Sequence, residues 1–376
     1  MSKPARLLAL ILALTALVGA SADVMITPEE LLAGMTLRQK VGQLFLVRPE
    51  CIVPRPQRTA GDRLVVNDSL RERYADYPVG GFVMFSANIA SPAQLKAYMC
   101  DLEALNPIPP IFCVDEEGGP VLRIASNASF GLEKVSNMRK IGDTGDTENA
   151  RTAGAYLGGY LHRLGFNLDL APVADARTNP GSIVIGNRSF GKDPERVSDM
   201  VAALIGGLHE AGVGACIKHF PGHGGVSGDS HKGFVVLDKT WDELRSADLI
   251  PFVDNLGIAD VVMVGHISVP RITDDNLPAS LSRQLIEGKL RGELGYEGLI
   301  TTDSLEMGAI ANNYESDIAA PLAVYAGVDL LMMPANLSRA FDAVVAAVES
   351  GRIPQSRIDE SVLRILRFKL ASKLRG

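Results

Sequence analysis

Apolar and polar positions along this chain fall into two alternating rhythms. Short, nearly continuous apolar runs of strand length are separated by longer stretches whose apolar positions recur at helical spacing. The runs predict strands at Val41–Val47, Gly81–Phe85, Ile111–Asp115, Asn167–Pro172, Gly214–His219, Val261–His266, Leu299–Asp303 and Asp329–Met333. Continuous apolar character suits parallel strands buried on both faces. Between them the pattern predicts helices at Pro92–Leu105, Thr147–Leu164, Pro194–Ala211, Trp241–Asn255 and Arg283–Leu294. A charged amphipathic helix, Ser356–Leu374, ends the chain. Ser91-Pro92 and Asp193-Pro194 have the form of an N-cap followed by a first-turn proline, where the missing N–H is no loss. Eight strand–helix units predict an α/β fold, a single TIM-like (β/α)8 barrel, with a doubly wound open sheet as the alternative. From Glu117 to Thr147 no clear element is predicted, and so long a connection within a barrel usually carries function.

The first 22 residues stand outside this pattern. Lys3 and Arg6 precede an apolar run from Leu7 to Ala20, and Ala20-Ser21-Ala22 offers a cleavage site before Asp23. The run is short against the roughly 20 residues of a membrane span. It predicts a signal peptide, 1–22, and an exported barrel, 23–376, with an uncleaved N-terminal anchor as the alternative. Without the leader the chain holds 35 basic and 44 acidic residues, a net of −9. A nucleic-acid binder needs a basic face to neutralise phosphates, so this balance argues against one. Cys51, Cys100, Cys113 and Cys216 are too few for a disulfide framework and contain no C-x-x-C pair. Cys113 and Cys216 lie in apolar runs, where buried free thiols are expected.

Polar groups interrupt the apolar runs at their C-terminal ends: Asp115, Lys218-His219, His266 and Asp303. In a barrel this is the rim on which active sites are assembled. The segment from Ile217 to His231 is the richest, with three of the chain's six histidines, a lysine and an aspartate in 15 residues. His219 and His223 have the i,i+4 spacing of zinc ligands, but that spacing aligns two ligands only on a helix. Pro221, Gly222 and Gly224 make a helix improbable there. No Gly-Lys-Ser/Thr follows the glycines, so a phosphate-cradling loop is also unsupported. What remains is a glycine-rich loop presenting Asp229 and His231. In Asp-x-His the carboxylate accepts from one imidazole nitrogen and leaves the other to exchange protons near neutral pH.

Lys218 to His231 resembles the KHFPGHG…DSH signature of family 3 glycoside hydrolases of the β-N-acetylglucosaminidase type. The resemblance runs over nearly the whole chain beyond the leader. Gly80-Gly81-Phe82-Val83-Met84-Phe85 is similar to the family's second strand, and Val114-Asp115-Glu116-Glu117-Gly118-Gly119-Pro120-Val121-Leu122-Arg123 to its D-[QE]-E-G-G-x-V-x-R motif. Leu170 to Asp175, Asn187 to Gly191, Met263 to Ile267, Thr302 to Met307 and Arg357 to Val362 follow in the family's order.

The resemblance implies that Asp303 is the nucleophile of a retaining mechanism and that His231, paired with Asp229, is its acid/base. It implies sugar contacts from Asp115, Arg123, Arg188, Lys218 and His219, and places His266 near the ring; Asp175 is expected to brace a loop. No metal or organic cofactor is implied, and the expected partner is an N-acetylglucosamine-containing glycan. An aspartate nucleophile with a reference pKa of roughly 3.9 is ionised at neutral pH, and a histidine of roughly 6.5 can both give and take a proton there. Gly225-Val226 stands where the family often has Asp-Thr, and Pro120 where arginine is common. An export signal points to cell-wall fragments or environmental chitooligosaccharides as substrates. A phosphorylase using phosphate in place of water, and a catalytically silent glycan-binding protein, are the competing expectations.

Overall fold

The computed structural model describes residues 26–226, 228, 233 and 235–375. The leader, Asp229 and His231 lie outside the described residues. Eight parallel strands form the frame: β1 (Phe45–Val47), β2 (Gly81–Met84), β3 (Ile111–Val114), β4 (Leu168–Asp169), β5 (Gly214–Phe220), β6 (Val261–Val264), β7 (Leu299–Thr302) and β8 (Leu331–Met332). Neighbours in the sheet follow chain order from β1 to β7, and β8 pairs with β1, with Phe45 opposite Leu331. Every residue of these strands is buried. Helices wrap the ring, among them α1 (Leu37–Gln43), α2 (Pro92–Glu103), α3 (Thr147–Leu164), α4 (Pro194–Glu210), α5 (Ser316–Ala326), α6 (Leu337–Glu349) and α7 (Gln355–Arg375). This is the (β/α)8 barrel expected from the apolar rhythm. No described helix is long and apolar enough to cross a membrane.

The ring closes between β7 and β8 through a short seam. Thr301 bridges Leu330, Leu330 N donates to Ile300 O at 3.0 Å, and Thr302 N donates to Leu330 O at 3.1 Å. The next rung is not a backbone bond: Met332 N donates to the Thr302 hydroxyl at 3.1 Å.

Local signals explain where the observed elements depart from the apolar pattern. Val41–Gln43 belongs to α1 rather than to the first strand. Thr36 accepts from Gln39 N while the Gln39 side chain accepts from Thr36 N, a reciprocal cap that starts a helix and carries it to Gln43. The helix expected over Trp241–Asn255 is two, Trp241–Arg245 and Ile250–Val253, with Pro251 in the first turn of the second. Pro251 has no N–H to donate to Ala247 O and its ring crowds that carbonyl, so one continuous helix cannot run through it. Ser91 caps α2 through Gln94 N, whereas Asp193 precedes α4 without any side-chain cap bond. The connection after β3 is not featureless: Glu116–Gly118 and Val121–Leu122 form an antiparallel hairpin, and Met138–Gly142 is a short helix.

Candidate functional site

A cavity of about 1160 Å³ opens at the C-terminal ends of the strands. Its wall includes Asp115 after β3, Glu117 from the hairpin, Lys218 and His219 from β5, Arg188, and Asp303 after β7. Successive strand residues normally point to opposite faces. Here the register of β5 against β6 shifts between Lys218 and Phe220, and both Lys218 and His219 line the cavity.

The polar groups hold one another in a network. Lys218, buried, donates from Nζ to Asp115 Oδ1 at 2.7 Å and approaches Glu117 Oε1 at 2.6 Å. Arg188 grips both oxygens of Glu117, each at 2.8 Å. Burial alone would raise the Glu117 carboxyl; Arg188 and then Lys218 outweigh it and hold it far below the usual carboxylate range. Burial would likewise lower the Lys218 ammonium, and the Asp115 and Glu117 carboxylates instead push it up. Arg123 lies farther out, with Nη2 3.8 Å from Asp115 Oδ2 and its guanidinium 5.2 Å from the centre of the Phe85 ring.

Beneath the cavity, Asp175 is wholly buried and braces the glycine-rich loop. Its Oδ2 accepts from His219 N at 3.0 Å and lies 2.7 Å from His219 Nδ1; its Oδ1 accepts from His223 N at 2.6 Å. That leaves Nε2 as the ring nitrogen of His219 nearer Arg188, 3.5 Å from Nη2. The loop packs tightly over this brace. A methyl group at Gly224 would lie 2.0 Å from the Ala176 carbonyl oxygen, and Gly222 has a φ of 126°, so both positions require glycine.

Asp303 sits at the cavity floor with Oδ1 accepting from Ser304 N at 2.7 Å. Burial would raise its carboxyl, but the imidazoles of His219 and His266, together with that N–H, lower it. Asp303 is therefore ionised at neutral pH.

Six of the seven described site residues expected from the sequence meet at this cavity: Asp115, Arg123, Arg188, Lys218, His219 and Asp303. His266 does not reach it. The residue is wholly buried, its Nδ1 is 2.7 Å from the Ser280 hydroxyl and its Nε2 is 2.8 Å from Ser304 O. Its ring nitrogens face the Ser280 hydroxyl and the Ser304 carbonyl, so His266 supports the segment after Asp303. Charged wall residues that were not singled out from the sequence include Glu117, Arg48 and Glu306. Glu117 lay inside a quoted motif without a role. Arg48 ends β1 and pairs with Glu306 at 2.8 Å across the mouth of β8. Arg48 breaks an apolar run at the rim as Asp303 does, and that signal would have found it. Among the described residues no group of three or more His, Cys, Asp or Glu side chains is arranged to hold a metal ion. Cys113 and Cys216 are buried and free, as expected.

Comparison with known proteins places this cavity in context. The family model for the N-terminal domain of glycosyl hydrolase family 3 matches residues 36–368. Beta-hexosaminidase A of Pseudoalteromonas piscicida is 30% identical over 370 residues, 89% of this chain and 61% of that one. Beta-hexosaminidase of Pseudomonas aeruginosa is 35% identical over 283 residues, covering 74% of this chain and 82% of its own. Among solved structures, a family 3 β-N-acetylglucosaminidase from Paenibacillus sp. superposes with a TM-score of 0.83 at 37% identity, over 91% of this chain and 64% of the other. The chain thus spans less than two thirds of two of these relatives.

Proposed function

The chain belongs to glycosyl hydrolase family 3, and on that premise we propose that it is an exported, retaining β-N-acetylglucosaminidase acting on cell-wall fragments or chitooligosaccharides. The observation that carries this reading is the ionised Asp303 on the floor of a cavity whose opposite wall is crowded with hydroxyl-binding groups. In the proposed mechanism Asp303 attacks the anomeric carbon while the glycosidic oxygen leaves with a proton, giving a glycosyl-enzyme ester. Water then attacks the same carbon, loses a proton and frees Asp303. His231 supplies the first proton and takes the second, and Asp229 orients its ring. Asp115, Lys218 and His219 bind the sugar hydroxyls, and Arg123 and Arg188 complete the pocket. Preference for an N-acetylated sugar is supported by the names of the relatives above.

The test compares aryl glycosides of N-acetylglucosamine, glucose and N-acetylgalactosamine, with and without phosphate. Release from the N-acetylglucosaminide, without formation of a 1-phosphosugar, is expected. Equal cleavage of the glucoside refutes the specificity, and a phosphorylated main product refutes hydrolysis. His231→Ala then examines the proton transfer. An acidic nitrophenol leaves without help, so aryl substrates should show a burst that azide relieves. Natural oligosaccharides should slow by roughly 10²–10⁴-fold, the usual worth of general acid–base assistance.

A further inference from the structure

Glu116 lies between two cavity residues, Asp115 and Glu117, yet it does not line the cavity. Its side chain turns inward and is wholly buried. Four donors converge on it. Oε2 accepts from Arg123 N at 2.6 Å and Ile124 N at 3.0 Å; Oε1 accepts from Ala125 N at 2.8 Å and the Tyr160 hydroxyl at 2.6 Å. Three consecutive backbone amides thus aim at one carboxylate. Burial and the Glu116 charge push the Tyr160 phenol up, so it keeps its proton and remains a donor. Glu116 is itself fixed from behind, its N–H donating to Asp169 Oδ1 at 3.1 Å.

This arrangement ties the strand that returns from the hairpin to the segment leaving β3. Arg123 is the first residue tied, and its own side chain is loosely held, its nearest carboxylate oxygen being 3.8 Å away. The guanidinium has no tight ion pair and stands against the Phe85 ring, so its place at the cavity wall depends on the backbone beneath it. The family motif allows glutamine or glutamate here, and the four donors in this chain favour glutamate. Each of its oxygens takes two donors, whereas a glutamine would turn its NH2 group toward one pair and set donor against donor.

We propose that Glu116 is a positioning residue for substrate binding, setting the place of Arg123 through the three amides at 123–125. This rests on the reading of Arg123 as a sugar contact. The experiment is a double-mutant cycle on the full chain with Glu116→Gln and Arg123→Ala, reading kcat and KM on the aryl N-acetylglucosaminide. Hydrogen exchange of the amides of Arg123, Ile124 and Ala125 is followed in parallel. Glu116→Gln should raise KM about tenfold, as losing a hydrogen bond to a charged group does, with kcat within about twofold. Protection of the three amides should fall while that of the barrel strands stays. In the Arg123→Ala background the same substitution should change KM by less than about twofold, because contacts acting through one another are not additive. Tyr160→Phe removes one donor and keeps the carboxylate, so it provides the same readouts if Glu116→Gln fails to fold; its effect on KM should again vanish in the Arg123→Ala background. An equal factor in both backgrounds, or unchanged exchange at 123–125, overturns the proposal. An Arg123→Ala enzyme with unaltered KM overturns it together with the sugar contact, while turnover by the parent enzyme leaves the hydrolase reading standing.

Discussion

At the N-terminal end of the barrel, Asp329 is wholly buried just ahead of β8, and its oxygens are saturated. Oδ2 accepts from Arg291 at 2.6 Å and Ile300 N at 3.0 Å; Oδ1 accepts from Ser361 at 2.6 Å and Arg364 at 3.1 Å, with Arg357 at 3.5 Å. The last helix, α7, supplies three of these five donors, so the cluster fastens the chain's end to its final strand. At the other end, Asp115, Glu117, Lys218 and Arg188 form a network of the same kinds of group. There Asp115 keeps its side chain 18% exposed, and only a distant Arg123 faces its second oxygen. Guanidinium and carboxylate serve both ends. What separates a fastening from a binding site is whether hydrogen-bonding capacity is used up within the protein or left facing a cavity.

Substitutions that remove one charge from either end test this contrast. The largest effect is expected at Asp303, where Asp303→Asn should reduce turnover of every glycoside on the order of 10⁴-fold or more. The folded carboxyl is held below its ordinary value, so its charge adds somewhat to stability and the thermal midpoint should fall modestly at neutral pH. A large stability loss with residual turnover would place Asp303 on the fastening side of the comparison.

Asp329→Ala should do the reverse. Removing one partner of a buried ion cluster leaves its cations uncompensated, at a cost of about 3–5 kcal/mol. Denaturant unfolding should show that loss, while the folded fraction keeps the parent KM.

Glu117→Gln should show both behaviours at smaller size. It is part of the wall and holds Arg188 and Lys218 in place, so kcat/KM should fall on the order of 10²-fold. The folded carboxyl is held below its ordinary value of 4.5, so its stabilising contribution is full above that pH and fades on acidification below it. The melting temperature of the parent should therefore drop more steeply than that of Glu117→Gln as pH falls below 4.5. Parallel curves would contradict the pairing.

The smallest effect is expected at Lys369 on α7. Burial lowers its ammonium to about 7, although Nζ donates to Gln43 Oε1 and Gly80 O, each at 2.7 Å. A folded value below the ordinary 10.5 means the unfolded chain binds more protons between the two, so stability rises with pH from about 7 towards 10.5. Lys369→Met should flatten that rise by an amount on the order of 5 °C in melting temperature and leave kcat and KM unchanged.

The barrel was legible because its strands are buried on both faces and their apolar runs are unbroken. Strand ends were less so. Val41 to Gln43 reads as apolar strand until the Thr36–Gln39 cap is weighed against it. The site was legible where a polar residue ends an apolar run, as at Asp115, Lys218 and Asp303. It was not legible where burial decides the role. His266 ends such a run too, but Ser280 and Ser304 occupy its nitrogens, and these partners are distant in sequence. Glu116 and Glu117 stand side by side with identical side chains, and only the turn of the hairpin sends one into the core and the other toward the wall.

The closure of the ring at Thr302 has a mechanical consequence. Six neighbouring strand pairs between β1 and β7 are joined by backbone rungs, which no side-chain exchange short of proline can remove. At β7 and β8 one rung is a threonine hydroxyl, so that joint has a part that a single codon can replace. Asp303 is the very next residue. A valine at position 302 would keep the shape of the side chain and delete the acceptor for Met332 N, loosening the ring beside Asp303. The stiffness of the barrel at its cavity end is thus heritable as a single oxygen atom, separately from the residues that line the cavity.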